Sequence, residues 1–228
     1  MPLPHRPYPR SMTLTFAGTL DRAAVVGAVD AVVDLVSDRA VAASWGRESA
    51  LPGMTVGGLV RHLVSQPESA VEFLRAAPPT TAETVSLLDY YARVDWLRAA
   101  RQAPENTSIR DHFNELARPG HKASLDVLDQ ARADLPGAIA AAAPTTYVPW
   151  QDCALNLDDF LVCRLLELLV HADDLAASLG CRTPQFDDAV RDPVVALLAV
   201  LSVRRHGQDA VVRALARAER AGGSVSAF

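Results

Sequence analysis

Long hydrophobic runs, paired cysteines and an excess of positive charge are all missing from this sequence. The longest apolar run covers residues 194–203 and is broken by Ser202, whereas a membrane-spanning helix needs about 20 mostly apolar residues. The first ten residues, MPLPHRPYPR, have no apolar core of the kind that a signal peptide carries. The three cysteines form no CxxC pair and suggest no disulfide framework. These absences predict a cytoplasmic protein without a membrane partner.

Charge and composition narrow the class further. The formal net charge is −5, and a nucleic-acid-binding protein needs a basic face, so we expect no nucleic-acid partner. Aromatic residues make up only 6% of the chain, while alanine, valine and leucine dominate its apolar half. That composition favours helices, and 228 residues suffice for one domain with a sizeable core.

The most informative stretch runs from Asn156 to Gly180, NLDDFLVCRLLELLVHADDLAASLG. It reads as one helix, on which Arg164, His171 and Asp174 lie within roughly 60° of Glu167 at about 100° per residue. Most of the remaining circumference is apolar: Leu161, Val162, Leu165, Leu166, Leu168 and Leu169. A helix that is apolar nearly all round is buried. Because isolated buried charges are unfavourable, the ionisable stripe must be paired or bind a metal.

Glu167 and His171 are the first candidate metal ligands, because residues four apart on a helix can point to one centre. The best third candidate is His62, at the edge of the apolar stripe of an earlier predicted helix. Two histidines and one carboxylate leave a coordination position open, as in catalytic zinc sites. Asp174 and Arg164 would then assist catalysis by orienting a ligand imidazole or carboxylate.

Each of these residues has an alternative role without a metal. Glu167 and His171 would form a buried ion pair with Arg164. His62 would be a hydrogen-bonded histidine at a helix edge. Asp174 would bond a neighbouring side chain or backbone group.

The rest of the chain also reads as helical, so we predict an all-α bundle. The predicted helices cover about 21–43, 55–77, 84–101, 107–143 (broken at Pro119–Gly120), 187–206 and 208–220. Pro67 is expected to kink or restart the second of these. The only predicted β segment is a short ribbon within Tyr147–Leu155. The predicted organisation is a disordered segment over 1–14, a bundle over 15–183, and a helical C-terminal extension over 184–228 that packs on it.

Two segments resemble a known family. TVGGLVRHL (55–63) and RLLELLVHADDLAASLG (164–180) are similar to two motifs of the mycothiol-dependent maleylpyruvate isomerase N-terminal domain, in the DinB-like superfamily. The resemblance covers roughly residues 15–180. It implies a DinB-like four-helix bundle that binds a divalent metal, usually zinc, through His62, Glu167 and His171. It also implies mycothiol or a similar thiol as cosubstrate.

Three functions remain open from the sequence. The leading prediction is a transferase or isomerase that depends on a metal and on a low-molecular-weight thiol such as mycothiol, and that acts on a small electrophilic substrate as a monomer or homodimer. The second is a non-catalytic bundle that binds a metal or a small molecule. The third is hydrolysis by metal-bound hydroxide, for which Asp174 is the candidate general base.

Overall fold

The computed structural model of the chain describes residues 13–77, 79, 81–94 and 102–228. Within them the helices are α1 (Arg22–Ser37), α2 (Arg39–Ala43), α3 (Val56–Arg75), α4 (Leu87–Ala92), α5 (Pro104–Leu116), α6 (His121–Ala141), α7 (Leu157–Leu179), α8 (Asp188–His206) and α9 (Gln208–Ala216). The strands are β1 (Glu83–Thr84), β2 (Thr145–Val148) and β3 (Cys153–Asn156). The predicted disordered segment 1–14, apart from its last two residues, lies outside the described residues.

Four long helices form the bundle. Helix α3 packs against α6 and α7, and α1 packs against the same two helices. Leucines from α3, α6 and α7 are fully buried where these helices meet: Leu59, Leu63, Leu128, Leu135, Leu161 and Leu165. The predicted all-α bundle is therefore confirmed, with α1, α3, α6 and α7 as its members.

Helix α7 follows its sequence pattern closely. The Asn156 side chain accepts a hydrogen bond from the Asp158 N–H and so caps the start of the helix. Gly180 ends it in the left-handed conformation, with φ of 68°, which glycine adopts without a steric penalty. Apolar side chains around nearly the whole helix are buried. The predicted central helix is confirmed.

A small sheet stands beside the bundle. Strand β3 lies in the middle, parallel to β1 and antiparallel to β2. The predicted ribbon within 147–155 is confirmed as the β2–β3 hairpin. The predicted helix over 84–101 is wrong at its start, because residues 83–84 instead pair with β3 and α4 begins only at Leu87. Residues 95–101 of that prediction lie outside the described part of the chain.

Two further boundaries differ from the sequence prediction. The predicted helix 21–43 is interrupted at Asp38, whose extended backbone ends α1 and whose side chain caps α2 by accepting the Ala40 N–H. Pro67 does not restart the second helix, because α3 continues through it. Pro67 is buried, and the packing of α3 on α6 and α7 compensates for the one backbone bond that proline cannot donate.

The last two helices continue the core. Helix α8 packs on α7 and α1, and α9 packs on α8. The buried residues of this pair are Val190, Val194, Leu197, Leu201, Ser202 and Val211. In the described ranges no helix combines the length and the hydrophobicity needed to cross a bilayer.

Candidate metal centre

The site lies where α3 meets α7. His62 is at the edge of the buried stripe that Leu59 and Leu63 provide on α3. Glu167 and His171 are one turn apart on α7. The packing of α3 against α7 brings one ligand atom from each of the three residues within 4.8 Å of the others.

The distances suit a single small cation. Nε2 of His171 lies 3.1 Å from Oε2 of Glu167, and Nε2 of His62 lies 3.6 Å from the same oxygen. Tetrahedral zinc with bonds of about 2.0–2.1 Å separates its ligand atoms by roughly 3.3–3.4 Å. Both imidazoles therefore present Nε2 to one point beside Oε2 of Glu167, at separations close to those of a zinc site.

The three candidate metal ligands, His62, Glu167 and His171, are largely removed from water. Their side chains are only 13–15% exposed. The His62 ring packs edge-on against Phe113, with 4.1 Å between centroids, and lies 4.3 Å from the His171 ring. Nδ1 of His62 is buried without a hydrogen-bond partner. The His62 ring therefore engages its polar neighbours through Nε2.

Burial and hydrogen bonding set the protonation states. Burial alone would raise the pKa of Glu167, but the hydrogen bond from His171 and the nearby His62 outweigh it and hold that pKa well below its usual range. Burial lowers the pKa of His62 to about 4. Burial also lowers the pKa of His171, but hydrogen bonds with Asp174 and Glu167 prevail and raise it to about 9. At neutral pH, Glu167 and His62 are thus already in the states that a metal requires, whereas His171 carries a proton.

Asp174 lies behind His171. Nδ1 of His171 donates to Oδ2 of Asp174 over 3.0 Å. A carboxylate bonded to the outer nitrogen of an imidazole fixes the orientation of the ring and raises the basicity of its other nitrogen. The contact thus directs Nε2 of His171 toward Glu167.

Arg164 lies one turn before Glu167 and forms no hydrogen bond with any of the three candidate metal ligands. Its Nη1 donates to Oε1 of Gln66 over 2.9 Å. The guanidinium lies 5.4 Å from the Trp150 ring and 5.7 Å from the Phe160 ring, within the range of cation–π attraction. Nε of Arg164 is buried without a partner, and no carboxylate of the described residues forms an ion pair with it.

Two neighbours of Arg164, Gln66 and Trp150, were not predicted from the sequence to contact it. Gln66 is only 3% exposed, and its Nε2 donates to the His62 carbonyl over 3.0 Å. The sequence feature that could have indicated Gln66 is its position one helical turn after His62, on the same face of the helix. Trp150, in the β2–β3 turn, is 54% exposed.

Comparison with known protein families finds a match for this chain. The family model described as the mycothiol maleylpyruvate isomerase N-terminal domain matches residues 25–176. That range covers more than half of the chain and contains His62, Glu167, His171 and Asp174. No curated protein and no solved structure matches. The chain belongs to the mycothiol maleylpyruvate isomerase N-terminal domain family.

Proposed function

We propose that this protein is a metal-dependent enzyme that uses mycothiol, or a similar small thiol, in a transfer or isomerisation reaction of a small electrophilic substrate. The observation that carries the proposal is the convergence of His62, Glu167 and His171 on one point. Membership of a family named after a mycothiol-dependent isomerase supports the choice of thiol.

The residues present fit a divalent metal. Two imidazole nitrogens and one carboxylate oxygen form the donor set of catalytic zinc sites that keep a coordination position open. The nitrogen–oxygen separations of 3.1 and 3.6 Å suit bonds to one such ion. His62, Glu167 and His171 would hold the metal, and zinc is the ion that these ligands favour.

A bound divalent metal would lower the pKa of a coordinated thiol, so that thiolate is available at neutral pH to attack an electrophilic carbon. The residues of the chain prepare the site for this step. Glu167 remains ionised, His62 remains neutral, and Asp174 holds the His171 ring in place. Arg164 adds positive charge one turn away. The side chains of His62, Glu167 and His171 are only 13–15% exposed, and low exposure to water strengthens electrostatic interactions.

One contact disfavours the hydrolytic alternative. Asp174 was the only candidate general base for a metal-bound hydroxide, and its Oδ2 accepts the hydrogen bond from His171. Its bonding to the imidazole suits an orienting role better than proton abstraction from water.

Cobalt substitution combined with turnover tests the proposal. When mycothiol is added to the cobalt-loaded protein, we expect a thiolate-to-cobalt charge-transfer band, and with an activated alkene we expect a thiol-dependent product. Glu167→Gln should abolish the band and lower the rate by orders of magnitude. The matched control is Glu115→Gln, which alters an exposed carboxylate and should leave both unchanged. Absence of the band across several small thiols would contradict thiol-dependent catalysis and favour a non-catalytic binding protein.

A further inference from the structure

The His62 ring has no hydrogen bond that fixes its orientation. Its Nδ1 is buried without a partner among the described residues, and its Nε2 lies 3.6 Å from the Glu167 carboxylate, which is longer than a normal hydrogen bond. His171, by contrast, is held by hydrogen bonds through both ring nitrogens. A metal-ligating imidazole ordinarily has a partner on its outer nitrogen that sets its orientation. Packing contacts must therefore orient the His62 ring if it is to bind a metal.

Phe113 of α5 makes a close ring contact with His62. The two ring centroids are 4.1 Å apart, at an interplanar angle of 64°. The His171 ring packs against His62 as well, at 4.3 Å. Such neighbours restrict rotation of the imidazole, because a closely packed side chain changes rotamer only if the surrounding atoms give way. Phe113 has no polar side-chain atom, so it can orient the ring without competing for a metal.

Phe113 is placed by the residue that follows it. None of the α5 residues that the structure describes is fully buried, so this helix depends on specific contacts for its position. Oδ1 of Asn114 accepts from the Thr55 N–H over 2.9 Å and from the Thr55 hydroxyl over 3.0 Å, and Nδ2 donates to the Gly53 carbonyl over 3.0 Å. Because these bonds join α5 to the start of α3, and α3 carries His62, they fix Phe113 relative to the ring that it contacts.

The start of α3 is shaped to receive Asn114. A Cβ on Gly58 would lie 2.3 Å from Oδ1 of Asn114, a separation at which one of the two atoms must move. The absence of a side chain at Gly58, one helical turn before His62, therefore permits the close docking of α5.

We propose that Phe113, held on α3 by Asn114, is the positioning residue that orients the His62 ring for metal binding. Its part in metal binding rests on the function proposed above, whereas its restraint of the ring does not. Packing by Phe113 sets the orientation of one ligand imidazole, and the hydrogen bond from His171 to Asp174 sets that of the other. Removal of the Phe113 ring should therefore free His62, weaken metal binding and leave His171 in place.

Rotamer populations in the metal-free full-length chain test the restraint. Three-bond couplings to the ring carbon Cγ, measured by nuclear magnetic resonance, give these populations for each histidine. In the wild type we expect one dominant rotamer for His62, and Phe113→Leu should spread this ring over several rotamers. His171 should keep a single rotamer in both proteins, because its bond to Asp174 remains. The matched control is Leu116→Ala, which truncates an exposed side chain of the same helix and should change neither histidine.

Zinc affinity, measured by competition with a chromophoric chelator, tests the consequence for the metal. Loss of a group that orients a metal ligand typically weakens binding about 10–100-fold, and we expect Phe113→Leu to lie near the lower end, at about tenfold. Phe113→Tyr keeps the aromatic ring and should bind zinc nearly as tightly as the wild type, as should Leu116→Ala. Asn114→Ala leaves both rings in place but releases α5, so it should lower the affinity and spread the His62 rotamers in the same direction.

The two measurements separate the possible failures. Several His62 rotamers in the wild type, or a single rotamer in Phe113→Leu, would overturn the proposal, and so would an unchanged zinc affinity in Phe113→Leu. If Phe113→Leu does not fold, a single His62 rotamer and unchanged affinity in Asn114→Ala would overturn it. A wild type that binds no zinc would contradict the function proposed above, while the couplings would still decide whether Phe113 restrains the ring.

Discussion

At the scale of single residues, the two histidines of the site differ in the partners of their ring nitrogens. His171 has a partner on both ring nitrogens, Asp174 on Nδ1 and Glu167 on Nε2. His62 has its one polar neighbour at Nε2 and none at Nδ1. The two histidines therefore differ in basicity and in how firmly each ring is oriented, and two predictions follow from that difference.

Asp174→Asn should weaken metal binding about 10–100-fold, because the amide orients the His171 ring less well and lowers its basicity. The matched control is Asp173→Asn, at a neighbouring exposed position, which should leave metal affinity unchanged. Competition with a chromophoric chelator measures both variants. Equal affinity of Asp174→Asn and the wild type would show that the contact does not support a metal site.

Metal binding at pH 7.5 should release about one proton. The pKa of His171 is raised to about 9, so this imidazole is protonated below that pH and must lose its proton to coordinate a metal. The pKa of His62 is lowered to about 4, so His62 releases none. Metal affinity should accordingly rise about tenfold per pH unit up to pH 9 and then level off.

Calorimetry in buffers of different ionisation enthalpy measures this proton count. A count near zero at pH 7.5, with an affinity that does not change between pH 7 and 9, would contradict the assigned protonation state of His171. Asp174→Asn should reduce the count, since it removes one of the hydrogen bonds that raise the pKa.

At the scale of elements, local patterns succeeded where an element depends on its own residues. The bounds of α7 and the convergence of Glu167 and His171 follow from spacing within one helix. Strand β1 was missed because its pairing partner, β3, lies far along the chain. The contact between Gln66 and Arg164 was missed for the same reason, since it joins residues 98 positions apart. Such contacts are set by tertiary packing and leave no periodic signal.

Helix α3 depends on a close approach near its start. A Cβ on Gly57 would lie 2.6 Å from the Trp45 ring, and that ring is fixed by its hydrogen bond to the Ala117 carbonyl over 3.0 Å. Gly57→Ala should therefore destabilise the protein by about 1–3 kcal/mol through overpacking. A Cβ on Gly27 in α1 would have nothing within 4 Å. Gly27→Ala should therefore stabilise the protein by about 0.5–1 kcal/mol.

Urea denaturation of both variants measures these opposite effects. Their comparison separates overpacking from helix propensity, because each variant adds the same methyl group to a helix. A Gly57→Ala variant as stable as Gly27→Ala would contradict the close packing of Trp45 on α3.

At the scale of the whole molecule, the apolar core extends from the four-helix bundle into the C-terminal helices. Leu197 of α8 belongs to the same buried cluster as the bundle leucines and is fully enclosed. Leu215 of α9 is 73% exposed. We infer that α8 is an integral part of the folded unit, whereas the outer face of α9 contributes little to stability.

This contrast predicts the effect of one substitution at two positions. Leu197→Ala should lower the free energy of unfolding by about 2–5 kcal/mol, as expected when a cavity opens in a core. Leu215→Ala should change it by no more than about 0.5 kcal/mol. Chemical denaturation followed by circular dichroism compares them. Similar small effects at both positions would mean that α8 does not stabilise the bundle.

Anomalous diffraction at the zinc edge can show whether His62, Glu167 and His171 hold one divalent metal. Crystals of zinc-loaded, tag-free protein should contain one anomalous peak per chain, about 2.0–2.2 Å from Nε2 of both histidines and from a Glu167 oxygen. His62→Ala should lose that peak and the bound zinc. An empty site under saturating zinc, a peak held by other residues, or full occupancy in His62→Ala would contradict the assignment of these three residues as the metal ligands.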